Sequence, residues 1–288
     1  MSIMLIQSFS TPGFLSGNPV SFTVSPTGSG NLLAILIFGS ISRGPVISIT
    51  DNVGNTYVHA PGTTAHNAFS DQTDIWYALN SISGATTITV TFTSNSGINS
   101  FNFVEFSGIQ TTAALDVSGG LSNQSHGGGS FLLSPSLTTS NNVELLLAIG
   151  QQASDSDVIG VSSPWTILVP LVGGSAYGTS YLVTTSSGTY QANFDTGGSG
   201  GNYSSSAAAF FSVPPPLTLN LSDSRTASDV MTDAFGLPLS DSTTASDTAP
   251  QAFSVESNAI ATVVTPAIET LTNQLLPANI KAYYITEE

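Results

Sequence analysis

The segment Thr87-Ile88-Thr89-Val90-Thr91-Phe92 puts Ile88, Val90 and Phe92 on one side of an extended chain and three threonines on the other. Strict period-two alternation specifies a β-strand with one buried face. Comparable runs recur at Val20–Val24, Leu32–Phe38, Val46–Thr50, Thr56–Val58, Asp74–Leu79 and Phe101–Phe106. Turn chemistry separates them, as at Asp51-Asn52, Ser83-Gly84 and Ser96-Gly97, and no helical period appears before residue 254. Short strands at such spacing predict an all-β fold of antiparallel sheets, of jelly-roll or Greek-key type, rather than parallel α/β units.

The surface of such sheets must be unusual. Charged residues make up 7% of the chain, against about a quarter in ordinary globular proteins. With 40% hydrophobic residues the chain can bury a core, so low charge does not mean disorder here. Arg43, Arg225 and Lys281 are the only bases and the net charge is −15. Nucleic acid and anionic lipid are therefore excluded as partners, because neither backbone nor headgroups would be neutralised. The longest apolar run, Leu32–Phe38, is too short to span a bilayer, so no membrane insertion is expected. The first residues lack a basic n-region, and no signal peptide is expected. Without cysteine there are no disulfides and no thiolate chemistry.

Internal matches organise the chain. Ser21–Pro26 matches Ser130–Pro135, Leu32–Ile37 matches Leu145–Ile149, and Asp74–Leu79 matches Gly178–Val183. Ser83–Phe92 then matches Ser187–Phe194, and Phe103–Ser107 matches Ala208–Ser212, in unbroken order. The pattern predicts two tandem antiparallel β-sandwich (jelly-roll-like) domains, residues 1–115 and 116–213, the second a degenerate duplicate, joined near Leu115–Gly129. Pro214-Pro215-Pro216 begins a stiff spacer. Beyond it, Leu219-Asn220-Leu221-Ser222-Asp223-Ser224 returns at offset 18 as Leu237-Pro238-Leu239-Ser240-Asp241-Ser242, and Ala234-Phe235 returns as Ala252-Phe253. Each unit is too small to fold alone, so Leu219, Leu221, Phe235, Leu237, Leu239 and Phe253 are expected to pack along another surface or another copy. Residues 214–253 thus form an extended repeat segment. In residues 254–288, Val255, Ile260, Val264, Ile268, Leu271 and Leu275 fall at helical spacing, and Lys281–Ile285 reads as a strand. This last module is expected to anchor or oligomerise the protein.

Catalytic signals are poor. Gly197-Gly198-Ser199-Gly200-Gly201 satisfies G-x-S-x-G, but that mechanism needs a helix after the serine and only Gly, Ser and Asn follow. His59, His66 and His126 have no metal-ligand spacing and read as surface or loop residues. Glu105, between Phe103-Val104 and Phe106, is expected to point out of its sheet, and a glycosidase pair with Glu144 is not supported. Asp51, Asn52, Asn55, Asp71 and Asp74 carry the hard oxygens calcium takes, but Asp-Asn-x-Gly-Asn is also ordinary turn chemistry. No cofactor is expected, with calcium the one alternative. Asp155-Ser156-Asp157 is a weaker version of that pattern. Tyr57, Trp76, Trp165 and Tyr177 offer ring faces for stacking on sugars, and core packing is the competing role of Trp76.

The segment Ile49–Val58, with Ile75-Trp76-Tyr77-Ala78 and Val104–Ile109, resembles a β-sandwich domain that recurs in bacterial surface proteins and phage structural proteins. The Ser-Asp-Ser units with the tail after them resemble repeats of tailed-phage tail and fibre proteins. The resemblance implies a non-enzymatic virion surface protein, either a tail-fibre or receptor-binding component or a capsid decoration or head fibre, assembled in the host cytoplasm. It further implies a homo-oligomer, with a trimer the expected form, in contact with other virion proteins and a host surface glycan. The alternative reading is a carbohydrate-binding adhesin module of a bacterial surface.

Overall fold

A computed structural model describes residues 2–95, 97–128, 131–152, 158–168, 177–197 and 200–214, with four short strands between residues 217 and 255. The chain divides into two compact units, Met1–Val213 and Pro214–Glu288. The fold is all-β, with antiparallel pairing throughout the described sheets.

In the first unit one large sheet runs in the order Met4–Ser10, Asn99–Ser107, Leu32–Ser40, Asp71–Ala78, Val58–His59, with Ala65–His66 also beside Asp71–Ala78. A second runs Leu115–His126, Gly201–Phe211, Glu144–Gln152, Tyr177–Val183, Thr166–Ile167. The small sheet Val20–Thr23, Thr87–Phe92, Val46–Asp51 covers the first. The strands around Leu132–Leu133, Leu137–Thr138 and Asn193–Asp195 cover the second.

Three cores follow from the side-chain alternation. Leu33, Ile35 and Ile37 point at the first small sheet and meet Phe22, Ile88 and Val90. Leu32, Ala34, Leu36 and Phe38 point the other way and meet Leu145, Leu147, Ile149 and Phe210 of the second large sheet. Leu146 and Ala148 then face Leu132, Trp165 and Phe194. The central strands of both large sheets are buried on both faces. That is why Leu32–Phe38 and Leu145–Ile149 read as unbroken apolar runs while Thr87–Phe92, on an outer layer, alternates. Residues 1–115 and 116–213 accordingly lie within one compact unit and share a core.

The paired segments occupy equivalent places in the two strand orders, Leu32–Ser40 beside Glu144–Gln152 in the centre and Asp71–Ala78 beside Tyr177–Val183 next to it. Two of the sequence matches are out of phase. Phe22 is buried in the core, but its match Phe131 is exposed and the next residue, Leu132, is buried instead. Phe106 pairs with Leu32 and Phe210 with Leu145, so Phe106 corresponds to Phe210, one residue from the match with Phe211. A slip of one residue reverses every side chain, so register and burial decide the equivalence.

Other expectations are corrected. The joint near Leu115–Gly129 is the twelve-residue strand Leu115–His126, an edge of the second large sheet. Its Gly119-Gly120 concealed it, since glycine reads as loop. A Cβ on Gly120 would lie 2.9 Å from the Gly62 carbonyl oxygen and 3.0 Å from Ala65, so the close approach of this edge to residues 62–65 requires the glycine. The N-terminal stretch is also a strand, Met4–Ser10.

In the second unit Leu217–Asn220 pairs with Ala252–Val255 and Met231–Thr232 with Pro238–Leu239, both antiparallel. Leu219, opening the first repeat, stands opposite Phe253, closing the second. The described strands thus pair one repeat with the other, and Leu239 also lies in a strand. Val255, read as the start of a helix, ends a strand. Leu221, Phe235, Leu237, Ile260, Val264, Ile268, Leu271 and Leu275 lie outside the described residues.

Candidate functional site

Asp51 ends the strand Val46–Asp51, where the chain turns sharply. Its Oδ1 accepts from the amides of Val53, Gly54 and Asn55 at 3.0, 2.8 and 3.1 Å. Its Oδ2 accepts from Asn55 Nδ2 at 2.6 Å and from the Tyr57 hydroxyl at 3.0 Å. Burial pushes this carboxyl up, but the hydrogen bonds from the Asn55 side chain and the three amides outweigh it, so the pKa falls below its ordinary value. Asn52 Oδ1 accepts from the amides of Thr86 and Thr87, and Asn55 Oδ1 from that of Ile82. The oxygens proposed for calcium are occupied in tying two turns together.

Asp71 and Asp74 do not converge. Asp71 accepts from Asn67 Nδ2 at 3.3 Å beside a tight turn, and burial raises its pKa. Asp74 is buried three residues on, where it meets His59. Among the described residues no three His, Cys, Asp or Glu side chains gather as a metal site.

The most developed polar cluster is centred on Asp74. Its Oδ1 lies 2.7 Å from His59 Nε2 and accepts from Thr63 Oγ1 at 2.9 Å, while Trp76 Nε1 donates to Oδ2 at 3.2 Å. Val58–His59 pairs with Trp76-Tyr77, so His59 and Trp76 are cross-strand neighbours with ring centroids 5.4 Å apart. Thr63 Oγ1 and Thr64 Oγ1 approach the same His59 Nε2 at 3.3 and 3.2 Å. The hydrogen bond to Asp74 raises the His59 pKa against the opposing effect of burial. A hydrolytic triad needs the carboxylate on one ring nitrogen and the nucleophile on the other. Here carboxylate and hydroxyls crowd one nitrogen, so the cluster braces the loop at residues 60–64 and does not activate a threonine.

Glu105 overturns its expected outward placement. It is fully buried and accepts from Gln7 Nε2, Gly28 N and Asn31 Nδ2 at 2.6, 2.7 and 2.6 Å. Glu144 is also buried, with Oε1 accepting from Asn141 N at 2.8 Å and Oε2 without a donor. Burial is the main cause that pushes its pKa up to about 7, the Asn141 amide opposes this, and Asp116 nearby adds to it. His59 and His126 are half-buried and hydrogen-bonded, and His66 is exposed.

Of the aromatic candidates, Tyr57 is buried with its hydroxyl committed to Asp51, and Trp165 lies in the core of the second half. Tyr177 stacks on Phe38 and shares a hydrogen bond with Ser10 Oγ. Trp76 is half-buried as well, packed against the core on one side and with the His59 ring beside it. Asp155 and Asp157 lie outside the described residues. A hollow of about 460 Å³ is lined by Thr56, Val58, Tyr77, Leu79, Ala113 and Leu115, where the two large sheets meet. Its lining is mostly apolar and holds no carboxylate or imidazole.

Comparison with protein-family models, curated proteins and solved structures finds no match to this chain.

Proposed function

We propose that the chain is a non-enzymatic structural protein of a bacteriophage particle surface, a tail-fibre or receptor-binding component or a capsid decoration or head fibre. The layered unit Met1–Val213 supplies a stiff projecting body, and residues 214–288 hold it to copies of itself or to other virion proteins. The observation that carries the reading is the use made of the chemically capable groups. Asp51, Asp74, Glu105 and Arg43 are turned into the fold and spent on turns, loops and strand ends. The pairing of one repeat with the other supports the assembly role, because a ladder that two repeats form within a chain can also form between chains. The virion setting rests on the Ser-Asp-Ser repeats and the β-segments of the sequence.

Light scattering on the full chain and on a chain ending at residue 213 tests this. The expected result is an oligomer that loses subunits on truncation. Two monomers of equal behaviour, with no binding of the full chain to purified phage particles, would overturn it.

A carbohydrate-binding adhesin is the second reading, and the half-buried Trp76 ring beside His59, which Thr64 contacts in turn, favours it. It requires neutral oligosaccharides to perturb Trp76, with loss of binding in Trp76→Leu.

A further inference from the structure

Four loops gather at one end of the first large sheet, with described residues 11–19, 40–45, 67–70 and 93–95 with 97–98. The register brings them there, since Ser10 pairs with Asn102, Gly39 with Asn99 and Ser40 with Asp71. Backbone hydrogen bonds then join neighbour to neighbour. Leu15 and Asn99 exchange amides and carbonyls at 2.8 and 3.1 Å, Ser40 N donates to Ile98 O at 3.0 Å, and Ile41 N donates to Ser70 O at 2.7 Å. This adjacency sets the loops that carry Phe14, Ile98, Ile41 and Phe69 in a row, and these four residues are 52, 43, 38 and 65% exposed.

The row is held rigidly. Arg43, fully buried, donates from Nε to Gly97 O at 3.1 Å and from Nη2 to Gly17 O, with its guanidinium 4.8 Å over the Phe92 ring. Its own carbonyl accepts from Ser94 N at 2.9 Å. One side chain thus ties three of the loops together, and Phe14 packs edge-on against Phe38. An apolar row that is already ordered loses little entropy on docking.

Charge narrows the occupant. Arg43 is inside, so among the described residues this end offers no exposed lysine or arginine to an anionic partner. Among the described residues Asp71, bonded to Asn67, is the one acid in or adjoining these loops, so there a basic partner finds almost nothing to pair with. What fits is an uncharged apolar surface, and the end itself is such a surface. In a chain of net charge −15, contact elsewhere would bring more acids together.

We infer that this end is a self-complementary interface, occupied by the same end of a second copy about a two-fold axis, with Phe14 and Phe69 as its anchors. The inference is independent of residues 214–288 and of the virion reading.

The absence of native cysteine makes the test direct. Ser42, exposed beside Ile41, is replaced in the full chain as Ser42→Cys, and exposed Ser83, on a loop following the other end of the sheet, as the control Ser83→Cys. Under mild oxidation Ser42→Cys is expected to form covalent dimers, and Ser83→Cys about tenfold fewer. Adding Phe14→Ser and Phe69→Ser should remove the Ser42→Cys dimers by about tenfold, as for loss of interface anchors, with circular dichroism unchanged. Equal cross-linking at the two positions, or insensitivity to the phenylalanine changes, would overturn the inference. So would binding of the cysteine-free chain to phosphatidylcholine vesicles or neutral glycans without cross-linking, since that assigns the end to another occupant. An oligomer held by residues 214–288 would keep its mass in the Phe14→Ser/Phe69→Ser variant, which separates the two proposals.

Discussion

Tyr77 and Phe210 meet edge to face with ring centroids 5.1 Å apart, one from each large sheet. The contact lies in the core that the two halves share, so neither half can unfold without exposing the other's apolar face. Phe210→Ala is expected to cost about 3–5 kcal/mol, the range for a buried phenylalanine. Denaturant titration followed by circular dichroism and by tryptophan fluorescence should give one coincident transition for Met1–Val213. Two separated transitions would contradict the shared core.

Asp51 should matter at neutral pH and not in acid. Its folded pKa is depressed, so its contribution is present above the ordinary carboxyl range and lost as pH falls through the folded value. Asp51→Ala leaves three amides and the Tyr57 hydroxyl without their acceptor, a cost of about 2–3 kcal/mol at pH 7. The gap between variant and parent should start to narrow below about pH 4 and close only as pH falls through the depressed folded value, beneath which neither chain has the carboxylate. A gap independent of pH would mean that the turn does not depend on the charge.

Glu144 has the opposite sign. Its pKa is pushed up to about 7, so the folded state holds a proton that the unfolded chain releases near pH 4.5. Stability contributed at this site falls as pH rises from about 4.5 to 7, and the penalty is complete above that. Glu144→Gln keeps an acceptor for Asn141 N and removes the buried charge. It should stabilise the protein by roughly 2 kcal/mol at pH 8 and do little at pH 4.5. Thermal melts across this range provide the check, and destabilisation at pH 8 would refute the assignment.

His59 is raised by Asp74, so its stabilising effect is present below its unfolded pKa near 6.5 and disappears as pH rises through the folded value. His59→Gln should cost about 0.5–1 kcal/mol at pH 5.5, discounted for partial exposure, and less at pH 9. Hydrogen exchange in residues 60–64 should speed up in the same variant, because Thr63 and Thr64 both lean on the imidazole.

The sequence showed several of these elements and concealed others for definite reasons. Thr87–Phe92 was legible as a half-buried strand because alternation records burial directly. Leu32–Phe38 was legible as buried, but an apolar run does not say that it faces two different cores. Leu115–His126 was hidden, since its glycines serve contact with a distant loop and carry no strand signal. Asp51-Asn52 was legible as a turn because its hydrogen bonds are local. Asp74 with His59, fifteen residues apart, was not, because the pairing of Val58–His59 with Trp76-Tyr77 makes that contact. The burial of Glu105 is not legible locally, because its partners Gln7, Gly28 and Asn31 come from other parts of the chain.

By itself, then, the sequence determined what is local or periodic. That includes the all-β class, the turns, the order of matched segments and the shortage of charge. Only the tertiary structure decided which face of each large sheet met which core, which acids were buried and which loops converged on Arg43. The physical reason is that burial and hydrogen-bond partnership at these sites are set by residues tens to more than a hundred positions away. Strand register selects those partners, and a one-residue slip, invisible in composition, would have exchanged inside for outside.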